Sequence, residues 1–187
     1  VFAVNQALDY INDEESAIIN YCDFSCYWDY KKFKSWLIDE RIDGSIPAYK
    51  GFHPHSLGKT NYAYMREKNG KMIEIKEKEP FTNDKMNEYA SSGTYHFSKG
   101  IYIKNYFPKL IKENINIKGE YYCSLVYNLM ANDHLNIGIY AIEHFMQWGT
   151  PEDLEEYISW SNIFKDLVKT KTNHKCRGTT IIPMAGY

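Results

Sequence analysis

Ser16-Ala17-Ile18-Ile19-Asn20-Tyr21-Cys22-Asp23 decides how the rest of the chain is read. The run from Ser16 to Asn20 is too short for a helix and reads as a buried strand, one that hands Asp23 out at its C-terminal end. Open α/β sheets bind their ligands at that end of their strands, so Asp23 is the first candidate site residue. An acid at this point can equally cap the helix that follows.

Outward from this strand, helical and extended patterns alternate. Upstream, Ala3, Ala7, Leu8 and Ile11 share one face of an expected helix. Downstream, Trp28 to Ile38 carries Phe33, Trp36 and Leu37 at helical spacing, and Asp29 is suited to begin that helix. Gly44 to Tyr49 and Tyr62 to Met65 read as strands on either side of a Gly51 to Lys59 loop with a proline and two histidines. Asn69-Gly70 is a hairpin signal ahead of the alternating strand Lys71 to Lys76, so a β-ribbon runs into Glu77-Lys78-Glu79-Pro80. Tyr89 to Phe97 reads as one strand across Gly93, and Ile103 to Glu113 as a helix. A second helix follows Gly119-Glu120, with Tyr122, Leu125, Val126 and Leu129 on one side, and Leu135 to Ala141 is a further strand. Thr150-Pro151-Glu152-Asp153 combines a Thr N-cap, Pro at the first helical position, first-turn acids and a capping-box acid, and predicts a helix over Pro151 to Trp160. A Lys- and Thr-rich connector, Lys165 to Arg177, leads to a last strand, Thr179 to Ala185, and Gly186. Such alternation predicts an α/β architecture with a mixed sheet.

Composition narrows the function classes. The chain has 187 residues, 44% hydrophobic and 25% charged, enough for one domain with its own core. Lys plus Arg number 22 against 24 Asp plus Glu, for a net charge of -2, and no basic run occurs, which argues against a dedicated nucleic-acid binder. No apolar stretch approaches the roughly 18 residues a membrane span needs, and the first residues do not pair a positive region with an apolar one. A soluble, cytoplasmic protein without a membrane partner is expected. Cys22, Cys26, Cys123 and Cys176 form neither a CxxC pair nor a framework, so reduced, mostly buried thiols are expected. Cys22 and Cys26 with His53 and His55 match no common zinc spacing. The 17 Tyr, 9 Phe and 4 Trp suit planar or hydroxylated ligands, although many of these rings belong to the core.

Five motifs then occur in one order: Asn20-Tyr21-Cys22-Asp23, Gly70 to Lys78, Gly93-Thr94-Tyr95-His96-Phe97, Gly119-Glu120-Tyr121-Tyr122 and Trp148-Gly149-Thr150-Pro151-Glu152-Asp153-Leu154. Over roughly residues 1 to 160 this order resembles the sugar-phosphate nucleotidylyltransferases. The resemblance implies a nucleotide-diphospho-sugar transferase fold, a three-layer α/β/α arrangement with a mixed, mostly parallel sheet, incomplete here. It implies a reaction joining a nucleoside triphosphate to a sugar 1-phosphate, or a related phosphorylated small molecule, with release of pyrophosphate. Positioning and neutralisation of phosphate charge supply most of the rate in such chemistry. By the same resemblance, Asp23 holds Mg2+, Glu77 accepts sugar hydroxyls and Lys78 contacts the sugar phosphate as a compact point charge. Gly93 lets the backbone approach the sugar, Glu120 binds a further hydroxyl, and Tyr62 stands beside the sugar-facing strand. Apart from the motif order, Lys76-Glu77-Lys78-Glu79 also reads as a solvated cluster of alternating charge, and Glu120 as a helix N-terminal acid.

Three departures accompany the resemblance. The Gly-rich loop that cradles the triphosphate is absent from the N-terminal side. Gln147, a neutral and weaker magnesium ligand, stands two residues before Gly149-Thr150, where the family often has an aspartate. Tyr62-Ala63 replaces a Tyr-Gly pair. Thr180 to Gly186 resembles the family's first strand as it enters the missing loop, which makes Gly186 a candidate nucleotide-binding residue at the opposite end of the chain. The expected organisation is a nucleotidylyltransferase fragment over 1–161, a connector over 162–178 and a strand over 179–187. That strand either opens a second domain or pairs into the sheet, in its own chain or in a homodimer through strand exchange, because an unfilled slot would leave strand edges unpaired. The isolated fragment is expected to be inactive, and a non-catalytic sugar-nucleotide-binding or regulatory domain is the alternative. A glycosyltransferase of the same fold is less well supported, since Asp23 lacks the paired aspartate that such enzymes place at their metal.

Overall fold

The computed structural model describes residues 1–53 and 62–173. His55, Cys176, Gly186 and the strand expected over 179–187 lie outside the described residues.

The chain opens with a short helix α1 (Phe2–Gln6) and a single 3-10 turn (Leu8–Tyr10) in place of one longer helix. Leu8 and Ile11 pack on the core as their spacing predicts, whereas Ala3 and Ala7 stay exposed. Strand β1 (Ala17–Asn20) follows, then β2 (Phe24–Tyr27) and α2 (Tyr30–Asp39). Asp29 begins α2 as expected, its Oδ1 accepting from the Lys31 and Lys32 amides at 3.0 and 3.1 Å. Strands β3 (Gly44–Tyr49), β4 (Ala63–Lys68) and β5 (Lys71–Glu77) come next. Asn69 and Gly70 both have positive φ, 55° and 76°, the backbone of a tight two-residue hairpin turn. After these come β6 (Tyr89–Ser91), β7 (Thr94–Phe97), α3 (Gly100–Lys112), a 3-10 turn (Cys123–Leu125) running into α4 (Val126–Asn132), β8 (Ile137–Ala141), β9 (His144–Gln147) and α5 (Pro151–Asn173).

Seven strands form one sheet in the order β1-β7-β3-β6-β4-β5-β8, and β8 also pairs with β3. The expectation of a mostly parallel sheet is corrected here. Among the described residues β3–β8 is the parallel pair, and the other pairings are antiparallel. The cause is local: a two-residue hairpin forces β4 and β5 antiparallel, whereas β3 and β8 are separated by enough chain to cross over. The mixed sheet and the α/β character agree with the sequence. Alternation along β7 sets the two faces. Tyr95 and Phe97 meet Tyr127 of α4 and Phe107 of α3, while His96 points the other way, onto Phe33 of α2. Tyr140 of β8 also packs on Phe33 and Trp36, so α2 closes over an aromatic layer. The main core lies between the sheet and α3 and α4, where Phe97, Ile103, Phe107, Leu110, Val126, Tyr127 and Met130 are fully buried or nearly so.

Two details place the functional end of the sheet. The single strand expected over Tyr89 to Phe97 is broken at Ser92-Gly93, where the Ser92 amide turns aside to donate to the Pro47 carbonyl at 3.1 Å. A separate ribbon, β2 with β9, stands beside the end of β1 and pairs Phe24 with Gln147.

Candidate functional site

The ends of β1, β5 and β6 and the β2–β9 ribbon surround a cleft of about 380 Å³. Its lining includes Asp23, Tyr62, Glu77, Lys78 and Gly93, which brings five of the sequence-derived candidates to one place.

Asp23 follows β1 by three residues, and its carbonyl accepts from the Trp148 amide at 2.8 Å, tying the two walls together. A Cβ on Gly149 would lie 2.8 Å from Asp23 Oδ2, so the glycine leaves room for the carboxylate. Gly93 has φ of 86°, and a Cβ there would stand 2.9 Å from the Tyr21 ring, two independent reasons for glycine at this point of the wall. The Tyr21 amide donates to the Gly93 carbonyl at 3.1 Å, which couples the strand end bearing Asp23 to the break between β6 and β7.

Glu77 closes β5 and is buried, 9% exposed, with the Ser124 hydroxyl donating to its Oε1. Burial pushes its carboxyl above the ordinary range, and the bonds to Ser124 and the Lys78 charge pull the other way. Lys78 leaves the strand with φ of 58° and donates its amide to the Tyr62 carbonyl at 2.9 Å. Its ammonium lies 3.4 Å from Glu120 Oε2 and 5.0 Å from the Tyr122 ring centre. The Tyr122 hydroxyl and Glu120 together hold the Lys78 ammonium above its usual range. Glu120 therefore meets the site through Lys78 and Tyr122 at the rim, and it is not among the residues that line the cleft. Burial also raises the Tyr62 phenol, with Asp153 and Asp23 adding to the effect.

Sequence reasoning missed several members of the cleft. Tyr21, Ser91 and Tyr95 line it, and Tyr95 is also core, 2% exposed, with Ser91 Oγ 3.3 Å from its hydroxyl. Asp153 reads in the sequence as a capping-box acid. Its amide does bond Thr150 Oγ1 at 3.1 Å, but its carboxylate accepts from Gln147 Nε2 at 2.7 Å and forms part of the cleft wall. The two meet across the short turn from β9 into α5, and β9 carries no strong strand signal. Trp148 packs edge-on against Tyr157 of α5 and does not line the cleft. A larger groove of about 870 Å³ runs along α5 and shares Phe145, Gln147 and Asp153 with the cleft, but it holds none of Asp23, Glu77 and Lys78.

The donor set suits a hard cation bound mainly through a ligand. Among the described residues no three His, Cys, Asp or Glu side chains are grouped to hold a metal ion, and Cys22, Cys26 and Cys123 are free thiols. Asp23, a carboxylate on the cleft wall, would hold magnesium as a single ligand, the rest of its coordination coming from substrate phosphates and water. Gln147 does not improve that set, because its Nε2 is bonded to Asp153 and its Oε1 is buried.

No protein-family model matches the sequence, and no curated protein does. Solved structures do match. A nucleoside-diphosphate-sugar pyrophosphorylase from Vibrio cholerae RC9 superposes with a TM-score of 0.61 at 20% identity, over 82% of this chain and 59% of that one. A structure described as a glucose-1-phosphate thymidylyltransferase from Bacillus anthracis, in complex with a sucrose, superposes with a TM-score of 0.61 at 16% identity, over 83% of this chain and 57% of that one. The chain thus spans less than two thirds of the length of these structural relatives. No helix among the described residues is long and apolar enough to cross a membrane. These superpositions show the fold: the chain has a sugar-phosphate nucleotidyltransferase-like fold.

Proposed function

We propose that this chain supplies the sugar-phosphate side of a magnesium-dependent nucleotidyltransferase, which joins a nucleoside triphosphate to a sugar 1-phosphate or a related phosphorylated small molecule and releases pyrophosphate. The observation that carries the reading is the meeting of Asp23, from the end of β1, with the buried Glu77 and the cationic Lys78, from the end of β5, on one cleft. In this reading Lys78 attracts the sugar phosphate, and Tyr122 and Glu120 hold its ammonium in place. Glu77 accepts hydroxyls of the sugar ring, and the bend at Gly93 lets the backbone approach it. Asp23 would hold Mg2+, which supplies neutralisation of phosphate charge when bound. A soluble, cytoplasmic enzyme of nucleotide-sugar or polysaccharide-precursor synthesis is the setting we propose.

Gln147 favours a second reading, a binding or regulatory domain that keeps the sugar pocket without turnover. A neutral amide already engaged with Asp153 cannot act as a second carboxylate ligand. Calorimetry with UDP-glucose and dTDP-glucose, each with and without Mg2+, tests both readings. Lys78→Ala is expected to weaken binding tenfold or more, about 1.4 kcal/mol, and Asp23→Asn to remove the dependence on Mg2+. Binding that both variants leave unchanged sinks the site assignment. Binding that Mg2+ does not affect, but that Lys78→Ala weakens, favours the regulatory domain.

A further inference from the structure

The segment that follows Glu120 touches β5 at two points. Ser124 Oγ donates to Glu77 Oε1, and the Asn128 amide makes two bonds to Ile75: Oδ1 accepts from its N–H and Nδ2 donates to its carbonyl, both at 2.9 Å. Ile75 faces Met65 of β4 across the ribbon, and among the described residues β5 meets β8 only at Lys71 and has no strand beside its outer edge around Ile75. Asn128 takes the place of that strand, satisfying a donor and an acceptor that would otherwise be left over.

The spacing explains why two residues of the segment can grip two of the strand. Ser124 and Asn128 are four apart on continuous helical turns, a rise of about 6 to 7 Å. Ile75 and Glu77 are two apart on a strand, a rise of about 6.6 Å. The two elements therefore match like a pair of teeth, and Glu77 is held from the side opposite the hairpin partner. Ser124 is itself fully buried. A serine hydroxyl at that depth has a single donor hydrogen, and here it goes to the one carboxylate in the cleft that water reaches least.

We propose that Ser124 is a positioning residue: with Asn128 it clamps the end of β5 and presents Glu77 to the cleft as an ionised hydrogen-bond acceptor with one oxygen fixed and the other offered to a ligand hydroxyl. The role of Glu77 as that acceptor rests on the function proposed above; the clamp itself does not. The groups facing Glu77 from the other elements are Tyr21 after β1, Tyr95 on β7 and Cys123 in the 3-10 turn, with Lys78 next to it in the chain. Of these only Lys78 carries charge at neutral pH; burial of Glu77 works against its ionised form, and the Ser124 bond, ahead of the Lys78 charge, works for it.

The test is titration of the Glu77 carboxyl by carbon NMR in glutamate-labelled chain, with the Glu77→Gln spectrum assigning the signal, and calorimetry with UDP-glucose in parallel. Ser124→Ala is expected to raise the titration midpoint by about one pH unit or more, Ser124→Cys to raise it less, and Ser124→Thr to leave it near the parent value. The same Ser124→Ala variant is expected to weaken UDP-glucose several-fold at pH 7 and less at higher pH, where Glu77 is ionised in either chain. Loss of packing alone would lower stability without moving the midpoint, so an unmoved midpoint in both Ser124→Ala and Ser124→Cys overturns the clamp. Should Ser124→Ala fail to fold, the Ser124→Cys midpoint decides. Glu77→Gln separates the two ideas: if it leaves UDP-glucose affinity unchanged, the site reading fails, even where the titration shows the clamp to be present.

Discussion

Lys78 holds an unusual backbone conformation for its residue type. Arg41, Asn114 and His134 also have positive φ, but they end helices, and Asn69 and Lys118 sit in tight turns. Lys78 is at the end of a strand, with φ of 58°, where a non-glycine residue costs about 1–2 kcal/mol. Strain of this kind persists at sites where a side chain is needed in one direction. Lys78→Gly is therefore expected to raise stability by about 0.5–1 kcal/mol in urea titrations, after the entropic cost of glycine, while binding of UDP-glucose is lost. The exposed contact with Glu120 that disappears is worth little. Lys78→Ala keeps the strain, so if it is as stable as Lys78→Gly, the account of strain at this residue is wrong. At this scale the sequence was informative through position and motif order more than through any single pair of residues. Asp23 stood out at the end of a buried strand, whereas Glu77-Lys78, which alone also reads as a solvated charge cluster, and Gly93 were singled out by the order of the motifs around them. Ser124 and Asn128 did not stand out, because a serine and an asparagine near a helix start carry no signal until the fold shows what they touch.

Elements were legible in proportion to how local their signals are. α2 follows from Asp29 and the Phe33, Trp36 and Leu37 spacing, and the β4–β5 hairpin from Asn69-Gly70. Ribbon β2–β9 was not legible, since its four-residue strands are specified by pairing with each other across more than a hundred residues of chain. α5 runs on to Asn173, so residues 162–173, which read as connector, are helical. Lysine and threonine there suggested a linker, but Ile163, Phe164, Leu167 and Val168 continue the helical spacing of Leu154, Tyr157 and Ile158. A cap is the most local signal of all, and its energetics are correspondingly simple. Asp29→Ala leaves the Lys31 and Lys32 amides without their partner and is expected to cost about 1 kcal/mol, read as a lower urea midpoint with an unchanged m-value. Asp29→Ser should recover most of that loss, and a variant as stable as the parent would show that the cap contributes nothing.

On the scale of the whole molecule, the way β7 sits between two packed faces makes stability depend on pH. His96 alternates out of the main core, yet α2 covers it: the ring is 4% exposed, meets Phe33 edge-on at 5.8 Å, and its Nδ1 has no hydrogen-bond partner among the described residues. Desolvation lowers its pKa from 6.5 to about 4. A base with a depressed pKa is protonated more readily in the unfolded chain, so stability is full above pH 6.5 and falls as pH drops from 6.5 towards 4. The gap between those two values corresponds to about 3 kcal/mol at most. His53, half-buried with its Nε2 3.1 Å from the Phe145 carbonyl, is also lowered by burial and adds to the same slope. Glu77 works in the opposite sense. Its raised pKa means that the folded chain takes up a proton before the unfolded one, which offsets part of the loss near the acid end of the window. Urea unfolding at a series of pH values between 8 and 4 should thus show a decline that begins near pH 6.5. His96→Leu, which keeps the contact with Phe33 and removes the titrating ring, should flatten it. An equally steep decline in that variant would mean that the buried histidine of β7 is not the source.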